Sequence, residues 1–186
     1  MSHHTLAEVE QVLDKIRSIV SNREDGDRDR VGMAKQLAEA IRPLGDYRWV
    51  GIYDVSPEFV SVIAWSGPGG PAVPTFPVTQ GLTGAAIRQR IAIVVGDVKK
   101  DPRYLTCLGS TRSEIIVPVL HPEHRRVIGT IDVESDQPDA FSDEDQEILE
   151  QCAEAALPLW TSTTAELRAG DQRAQGAASS GTKAGP

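Results

Sequence analysis

The chain has only two cysteines, Cys107 and Cys152, among its 186 residues. So few thiols exclude a secreted scaffold that is held together by disulfide bonds. No apolar run is long enough to cross a bilayer, and the N-terminal residues lack the basic segment and apolar block of a signal peptide. We therefore expect a cytoplasmic protein that does not enter a membrane.

Positive charge is also scarce, since 19 lysines and arginines stand against 27 aspartates and glutamates. The resulting net charge of −8 repels nucleic acid and anionic membranes, so we expect neither as a partner. The four histidines have no cysteine near them, and the sequence contains neither a P-loop nor a dinucleotide fingerprint. We therefore expect no metal site and no bound cofactor.

The spacing of apolar residues predicts helices at both ends of the chain and strands between them. Apolar residues recur every three or four positions at 5–21 and 31–41, which indicates two amphipathic helices. A short helix at 78–90 and a final helix after Ser142 follow the same rule, and the Gly- and Pro-rich segment 67–77 predicts a loop. Strand patterns occur at 47–55, 59–66, 91–98, 113–120 and 126–135.

This order of elements predicts an α+β fold. A central antiparallel sheet should carry helices on one face and pocket-forming loops on the other. We divide the chain into N-terminal helices at 1–46 that pack on the domain, the domain itself at 47–166, and a disordered tail at 167–186. From Arg168 onward this tail has no large apolar residue with which to form a core.

One cysteine lies close in sequence to three acids. Cys107 precedes Glu114 by seven residues, and Asp132 and Glu134 are two apart on a predicted strand, so their side chains share one face. Carboxylates near a thiol would bind the ammonium group of an amino acid, and their crowding would keep one of them protonated as an acid. From these residues alone, a small loop residue and a solvated acidic strand face are the more common explanation of the pattern.

Four further residues complete the predicted substrate-binding site. Trp49 and Tyr53 are four apart on a strand and would form an apolar wall, although ordinary core packing explains them as well. Thr83 brings a hydroxyl group to the start of a helix, where backbone N–H groups are free to bind a ligand. Ser113, with Arg112 beside it, lies near the acids in sequence.

Several motifs together resemble a GAF domain, a small-molecule-binding sensor fold related to PAS domains. They are WVGIY at 49–53, GLTG at 81–84, GDV at 96–98, the stretch from Cys107 to Ile115, and IGTIDVES at 128–135. The likeness spans 47–160 and is greatest to the free methionine-(R)-sulfoxide reductases. It implies that Cys107 is the nucleophile and that the three acids protonate and bind the substrate.

The sequence departs from that reductase pattern at three positions. Thr83 stands where a second cysteine is usual, no cysteine lies near Ile93, and Glu134 replaces the usual aspartate. A reductase of this kind would reduce free methionine sulfoxide, or a similar small amino acid, through a single cysteine and an external thiol reductant.

Two other functions stay open for such a chain. One is a non-catalytic GAF module that binds a small ligand for signalling, and the other is a redox sensor in which Cys107 itself is oxidised. A homodimer also stays open, since the N-terminal helices of GAF proteins often form dimer interfaces.

Overall fold

The computed structural model of the protein describes residues 4–21, 27–45, 47–106 and 108–161. Its elements follow in the order α1 (Leu6–Ser21), α2 (Asp27–Ile41), β1 (Trp49–Val55), β2 (Phe59–Ser66), β3 (Thr75–Pro77), α3 (Gly81–Gln89), β4 (Ile93–Val95), β5 (Ser113–Leu120), β6 (Val127–Ser135), α4 (Asp143–Ala156) and α5 (Pro158–Thr161). A short 3-10 helix, Val98–Lys100, follows β4. Within these described ranges, no helix is both long enough and apolar enough to span a membrane.

The six strands form one sheet in the order β3-β2-β1-β6-β5-β4, and every neighbouring pair is antiparallel. The predicted α+β fold with a central antiparallel sheet is therefore confirmed. The prediction that all of 67–77 is a loop is wrong at its end, where Thr75–Pro77 pairs with β2. A proline fits there because β3 is an edge strand, where a missing N–H leaves no ladder partner unpaired.

Alternation along the strands gives the sheet two different faces. On β1, Val50 and Ile52 pack into the main hydrophobic core, whereas Trp49 and Tyr53 belong to a separate aromatic cluster on the other face. On β6, the core residues Ile131 and Val133 alternate with Asp132 and Glu134, which point to the same side as the aromatic cluster. The sequence therefore places every acid of the predicted site away from the main core.

The main core lies between one face of the sheet and the helices α1, α2 and α4. Its fully buried large residues include Ile16, Leu37, Ile41, Ile52, Ile115, Ile131, Leu149 and Leu159. α4 begins with a capping box between Ser142 and Asp145, as the sequence indicates, so two backbone N–H groups at its start are satisfied.

The predicted tail lies outside the described residues, and the predicted domain boundaries and homodimer stay predictions.

The other face of the sheet carries α3 and the long loops. α3 begins at Gly81, which has a φ of +72°, a backbone conformation that favours glycine. A Cβ atom at Gly81 would lie 2.9 Å from Leu105 Cδ1, so the missing side chain lets the loop before β5 approach the helix. This close approach encloses the cavity described below.

Candidate active site

Three carboxyl groups meet on the cavity side of the sheet. Glu114 on β5 and Glu134 on β6 are directly paired in the strand register, and Asp132 lies two residues before Glu134. Residues that are opposite each other in an antiparallel pair project to the same face, so the register brings all three side chains together. They are 7%, 1% and 5% exposed for Glu114, Glu134 and Asp132.

Two threonine hydroxyl groups contact these buried acids. Thr83 Oγ1 donates a hydrogen bond of 3.3 Å to Asp132 Oδ2, and Thr111 Oγ1 is hydrogen-bonded to Glu134 Oε2. Asp132 Oδ1 is buried and has no hydrogen-bond partner among the described residues. A buried carboxyl oxygen without a partner is costly, and a ligand that donates a hydrogen bond would satisfy it.

The environment of these groups favours their neutral forms. Burial raises the pKa of Asp132 to about 7, and the Glu134 carboxyl acts in the same direction, while the hydroxyl groups of Thr130 and Thr83 oppose it. Burial also raises the pKa of Glu114 well above its usual value, with added repulsion from Glu134 and Asp132. A group that titrates near neutral pH is suited to general acid catalysis.

The acids form the floor of a small cavity between the sheet, α3 and two loops. Its lining consists of Trp49, Tyr53, Pro71, Val73, Phe76, Gly81, Leu82, Thr83, Leu105, Thr106, Glu114, Asp132 and Glu134. These lining residues include no lysine, arginine or histidine. The cavity is narrow, since the centre of a water molecule can move through only about 30 Å³ of it.

The wall of the cavity is aromatic, and it includes both predicted wall residues. The rings of Trp49 and Tyr53 lie 6.3 Å apart, and Phe76 packs edge-on against Tyr53 at 6.2 Å. Trp49 Nε1 donates a 3.4 Å hydrogen bond to the carbonyl oxygen of Gly69, in the loop that also carries Pro71 and Val73. An apolar wall opposite an acidic floor suits a ligand with one apolar end and one cationic end.

Two residues that the sequence placed near the site do not line the cavity. Ser113 precedes Glu114 on β5, so alternation turns it to the other face, where its hydroxyl donates a 2.7 Å hydrogen bond to Gln137 O. Arg112 lines a neighbouring open groove and lies 3.6 Å from Asp97. The predicted substrate-binding role of Ser113 therefore has no support in its position.

Cys107 lies outside the described residues, so its predicted catalytic role stays a prediction. The residues before it, Leu105 and Thr106, line the cavity, and Leu108 after it packs against the aromatic cluster.

Cys152 is fully buried in the main core, on the opposite side of the sheet from the acids. Burial raises the pKa of its thiol to about 12, so this cysteine is unreactive.

Thr111 and Phe76 are the main contributors that the sequence analysis missed. Phe76 is the single aromatic residue of the Gly- and Pro-rich segment 67–77, and that isolation was a usable signal. No local pattern relates Thr111 to Glu134, which is 23 residues away. The contact between Thr111 and Glu134 depends on the pairing of β5 with β6.

Comparisons with known proteins agree with this architecture. A GAF domain family model matches residues 27–157. The chain is 28% identical over 143 residues to GAF domain-containing protein A of Dictyostelium discoideum, an alignment that covers 76% of this chain and 85% of that protein.

Two solved structures of free methionine-R-sulfoxide reductases are also similar. The enzyme from Neisseria meningitidis, in complex with its substrate, superposes with a TM-score of 0.73 at 26% identity, covering 86% of this chain and 92% of that one. The type II enzyme from Thermoplasma acidophilum gives a TM-score of 0.62 at 32% identity, covering 70% and 94%. The chain therefore belongs to the GAF domain family, and it is similar in sequence and structure to free methionine-R-sulfoxide reductases.

Proposed function

We propose that this protein is a GAF-fold reductase that reduces a small free sulfoxide amino acid, of which free methionine-(R)-sulfoxide is the leading candidate. Cys107 is the nucleophile, and the reducing equivalents come from an external thiol. The acids Glu114, Asp132 and Glu134 bind the substrate ammonium group and supply a proton, while Trp49 and Tyr53 contact its apolar end.

The observation that carries this proposal is the burial of three carboxyl groups around one cavity whose lining residues include no basic side chain. Such a site attracts a cation, and burial strengthens that attraction relative to water. The unpartnered Asp132 Oδ1 is an acceptor for an ammonium N–H. The aromatic wall opposite suits a methyl-sulfur group, because sulfur packs favourably against aromatic rings.

The narrow cavity would hold an amino acid in close contact with its loops. The centre of a water molecule has only about 30 Å³ in which to move there. The lining residues on loops, rather than on the sheet or on α3, are Pro71, Val73, Leu105 and Thr106. We expect these two loops to move outward when the substrate binds and to exclude water once it is bound.

The proposed reaction transfers the sulfoxide oxygen to the cysteine. The Cys107 thiolate attacks the sulfoxide sulfur and forms an S–S bond, while an acid in the cavity protonates the oxygen. The S–O bond then breaks and the hydroxyl group bonds to the Cys107 sulfur, as the S–S bond breaks and its electron pair returns to the methionine sulfur. The products are methionine, whose sulfur has gained two electrons, and a cysteine sulfenic acid at Cys107, which has lost two. One external thiol then condenses with the sulfenic acid and releases water, and a second thiol displaces the first as a disulfide.

The second half of this cycle needs an outside thiol because the chain offers no partner. The sequence contains one other cysteine, Cys152. Its side chain is fully buried among the helices on the opposite face of the sheet from the acids. A sulfenic acid at Cys107 must therefore react with a small external thiol. Thioredoxin acts on protein disulfides, so it should support turnover poorly.

The experiment measures methionine released from free methionine-(R)-sulfoxide by the purified protein with excess dithiothreitol. We expect release from the R epimer and not from the S epimer. Cys107→Ser should abolish it, and Cys152→Ala should leave the rate per folded molecule unchanged. The Cys152→Ala variant is a matched control because it removes the other thiol.

Two results would contradict the proposal. Activity that persists in Cys107→Ser would exclude this nucleophile. Tight binding of the sulfoxide by the wild type without any turnover would instead identify a ligand-binding GAF module.

A further inference from the structure

The open groove beside β4, which Arg112 lines, differs from the cavity in its charge. The lining residues of the cavity include no cation, whereas those of the groove include both signs. Its charged residues are three cations and three acids: Lys100, Arg103, Arg112, Asp97, Asp101 and Asp139. The pairing between these groups decides which cation is left for a ligand.

Two of the three cations have close acidic partners. Arg103 donates hydrogen bonds of 2.9 Å and 2.6 Å to the two carboxylate oxygens of Asp101 through Nε and Nη2. Lys100 Nζ lies 3.3 Å from Asp97 Oδ2, and its side chain is 82% exposed. Asp139 is exposed, so water and salt screen its charge.

Arg112 lacks such a partner. Its Nε is buried and makes no hydrogen bond within the part of the chain that the structure describes. Arg112 Nη2 lies 3.6 Å from Asp97 Oδ2, which is longer than a hydrogen bond and longer than the contact of the same oxygen with Lys100. A buried N–H group without an acceptor is costly, and a ligand carboxylate would satisfy a guanidinium group with charge-assisted hydrogen bonds.

The backbone holds Arg112 in place in the groove. Its N–H group donates a 2.8 Å hydrogen bond to Ser135 O, and its carbonyl oxygen accepts a 2.9 Å hydrogen bond from Val98 N–H. Arg112 is therefore fixed between the end of β6 and the 3-10 helix. A binding group on a fixed backbone loses less conformational entropy when its ligand arrives.

The loop between the 3-10 helix and β5 borders both the groove and the cavity. Near its two ends, Arg103 and Arg112 line the groove. In its middle, Leu105 and Thr106 line the cavity. Cys107 follows Thr106 in the sequence, four residues after Arg103 and five before Arg112. The groove is thus built from the same loop to which the proposed nucleophile belongs.

The proposed reaction needs an outside thiol at this loop. The cavity is narrow, and its lining contains three acids and no cation, so it disfavours a thiol that carries negative charge. The net charge of −8 disfavours such a thiol as well. The groove offers it a guanidinium group whose donors the described residues leave unused.

We propose that the groove is the docking site of the external thiol reductant, that this thiol bears a carboxylate group, and that Arg112 binds the carboxylate. The inference rests on the proposed function, because the docked thiol is the one that reduces Cys107. Its sulfur forms an S–S bond with the Cys107 sulfenic acid, and the hydroxyl group leaves as water with the thiol proton. The thiolate of a second molecule then attacks the sulfur of the first, so the two leave as a disulfide and the Cys107 thiolate is restored.

Two small thiols of different charge test this docking site. Mercaptopropionate carries a carboxylate, mercaptoethanol is neutral, and neither has an ammonium group for the acids of the cavity. With saturating sulfoxide, kcat/KM for the thiol reports on the reduction of the oxidised enzyme. We expect Arg112→Gln to lower kcat/KM for mercaptopropionate about tenfold, because charge-assisted hydrogen bonds are lost, and to change the value for mercaptoethanol by less than about twofold.

Arg17→Gln is the matched control, because it removes an equal charge from an exposed position on α1. It should change neither value of kcat/KM. The rate with mercaptoethanol also shows in every variant that the protein is folded and active.

Nuclear magnetic resonance detects the docking without turnover. The side-chain Nε–H signal that Arg112→Gln removes belongs to Arg112. We expect mercaptopropionate to shift this signal until the site is saturated. Mercaptoethanol at the same concentration should leave it unchanged, because it has no carboxylate to accept a charge-assisted hydrogen bond.

Three results would overturn the proposal: an Arg112 signal that mercaptopropionate does not shift, no loss of kcat/KM in Arg112→Gln, or equal losses with the two thiols. The proposed function fails separately, because a protein that releases no methionine with either thiol contradicts the reductase. In that case the reductant role falls with it, and the Arg112 signal still decides whether the groove binds a carboxylate.

Discussion

Glu114 and Glu134 lie directly opposite each other on β5 and β6, with both side chains turned to the same cavity and almost completely buried. Two like charges at paired positions of a sheet repel, and burial strengthens the repulsion. The fold tolerates this pair because a carboxyl group can accept a proton and become neutral. The arrangement favours a protonated carboxyl group beside the cavity, so the stability of the folded protein should depend on pH.

The first prediction concerns the free energy of unfolding as a function of pH. Asp132 has a pKa raised from 3.8 to about 7 in the folded protein. Between those values the folded state binds a proton that the unfolded chain has lost, so stability should fall as pH rises through this window. Asp132→Asn should remove part of that slope and increase the unfolding free energy at pH 8 by roughly 2 kcal/mol.

Denaturant unfolding at several pH values between 4 and 8 measures this effect. Asp136→Asn is the matched control, because Asp136 is exposed in the connection after β6. It should leave the pH slope unchanged. A wild-type protein that becomes more stable between pH 4 and 7, with a slope that Asp132→Asn does not change, would contradict the prediction.

The second prediction concerns the hydroxyl group of Thr83. Thr83 donates a hydrogen bond to Asp132 Oδ2, which stabilises the ionised form that binds an ammonium group. Thr83→Val should raise the pKa of Asp132 further and increase KM for the sulfoxide about threefold to tenfold at neutral pH. Thr83→Ser keeps the hydroxyl and should change KM little. Equal losses in the two variants would show that packing, and not the hydrogen bond, is the reason.

The third prediction concerns Gly51, which lies between Trp49 and Tyr53 on the cavity face of β1. A Cβ atom there would lie 2.3 Å from Trp49 Cη2 and 2.7 Å from Tyr53 Cε2, so both rings would have to move. Gly51→Ala should destabilise the protein by about 2 kcal/mol and weaken ligand binding through the displaced wall.

Gly32→Ala is the control for this substitution. Gly32 is exposed on α2, and a Cβ atom there meets nothing within 4 Å. The change should stabilise the helix by up to about 1 kcal/mol, because alanine has the higher helix propensity. Thermal unfolding of both variants gives the comparison, and a Gly51→Ala protein as stable as the wild type would show that the aromatic wall adapts freely.

The fourth prediction concerns the reactivity of Cys152. Its thiol is fully buried and has a pKa raised to about 12, so an alkylating reagent should not label it until the protein unfolds. Mass spectrometry after a short exposure to iodoacetamide, with and without denaturant, measures the labelling of each cysteine. Rapid labelling of Cys152 in the folded protein would reopen its use as a partner thiol.

A good part of the fold could be predicted from local patterns. The two N-terminal helices, the strands and the capped helix α4 have strong periodicity, and alternation alone places Asp132 and Glu134 on one face. β3 was not predicted, because three residues in a Gly- and Pro-rich segment are too few to show the alternation of apolar and polar residues that is typical of a strand. The position of Ser113 also follows from alternation, since a strand that turns Glu114 into the cavity turns its neighbour to the other face.

The candidate site was predicted only in part, because its members come from distant parts of the chain. Thr83 on α3 reaches Asp132 on β6, and the aromatic wall combines Trp49 on β1 with Phe76 on β3. Thr83 and Trp49 were predicted because they lie in motifs that resemble the family. Thr111 also lies in one of these motifs, from Cys107 to Ile115, but nothing there pointed to its contact with Glu134, and Phe76 lies in no motif. Their positions follow from strand order and loop closure, which local spacing does not encode.

The order of the elements and the two faces of each strand follow from local sequence patterns, because they depend on hydrogen bonding and burial within a few residues. Only the paired strands of the folded sheet bring Glu114 opposite Glu134 and Thr111 to the same carboxyl group. Strand register sets both contacts, and a shift of one residue would turn either acid into the main core. The burial of apolar side chains across the whole sheet selects that register, so the chemistry of this cavity depends on the packing of residues far from it.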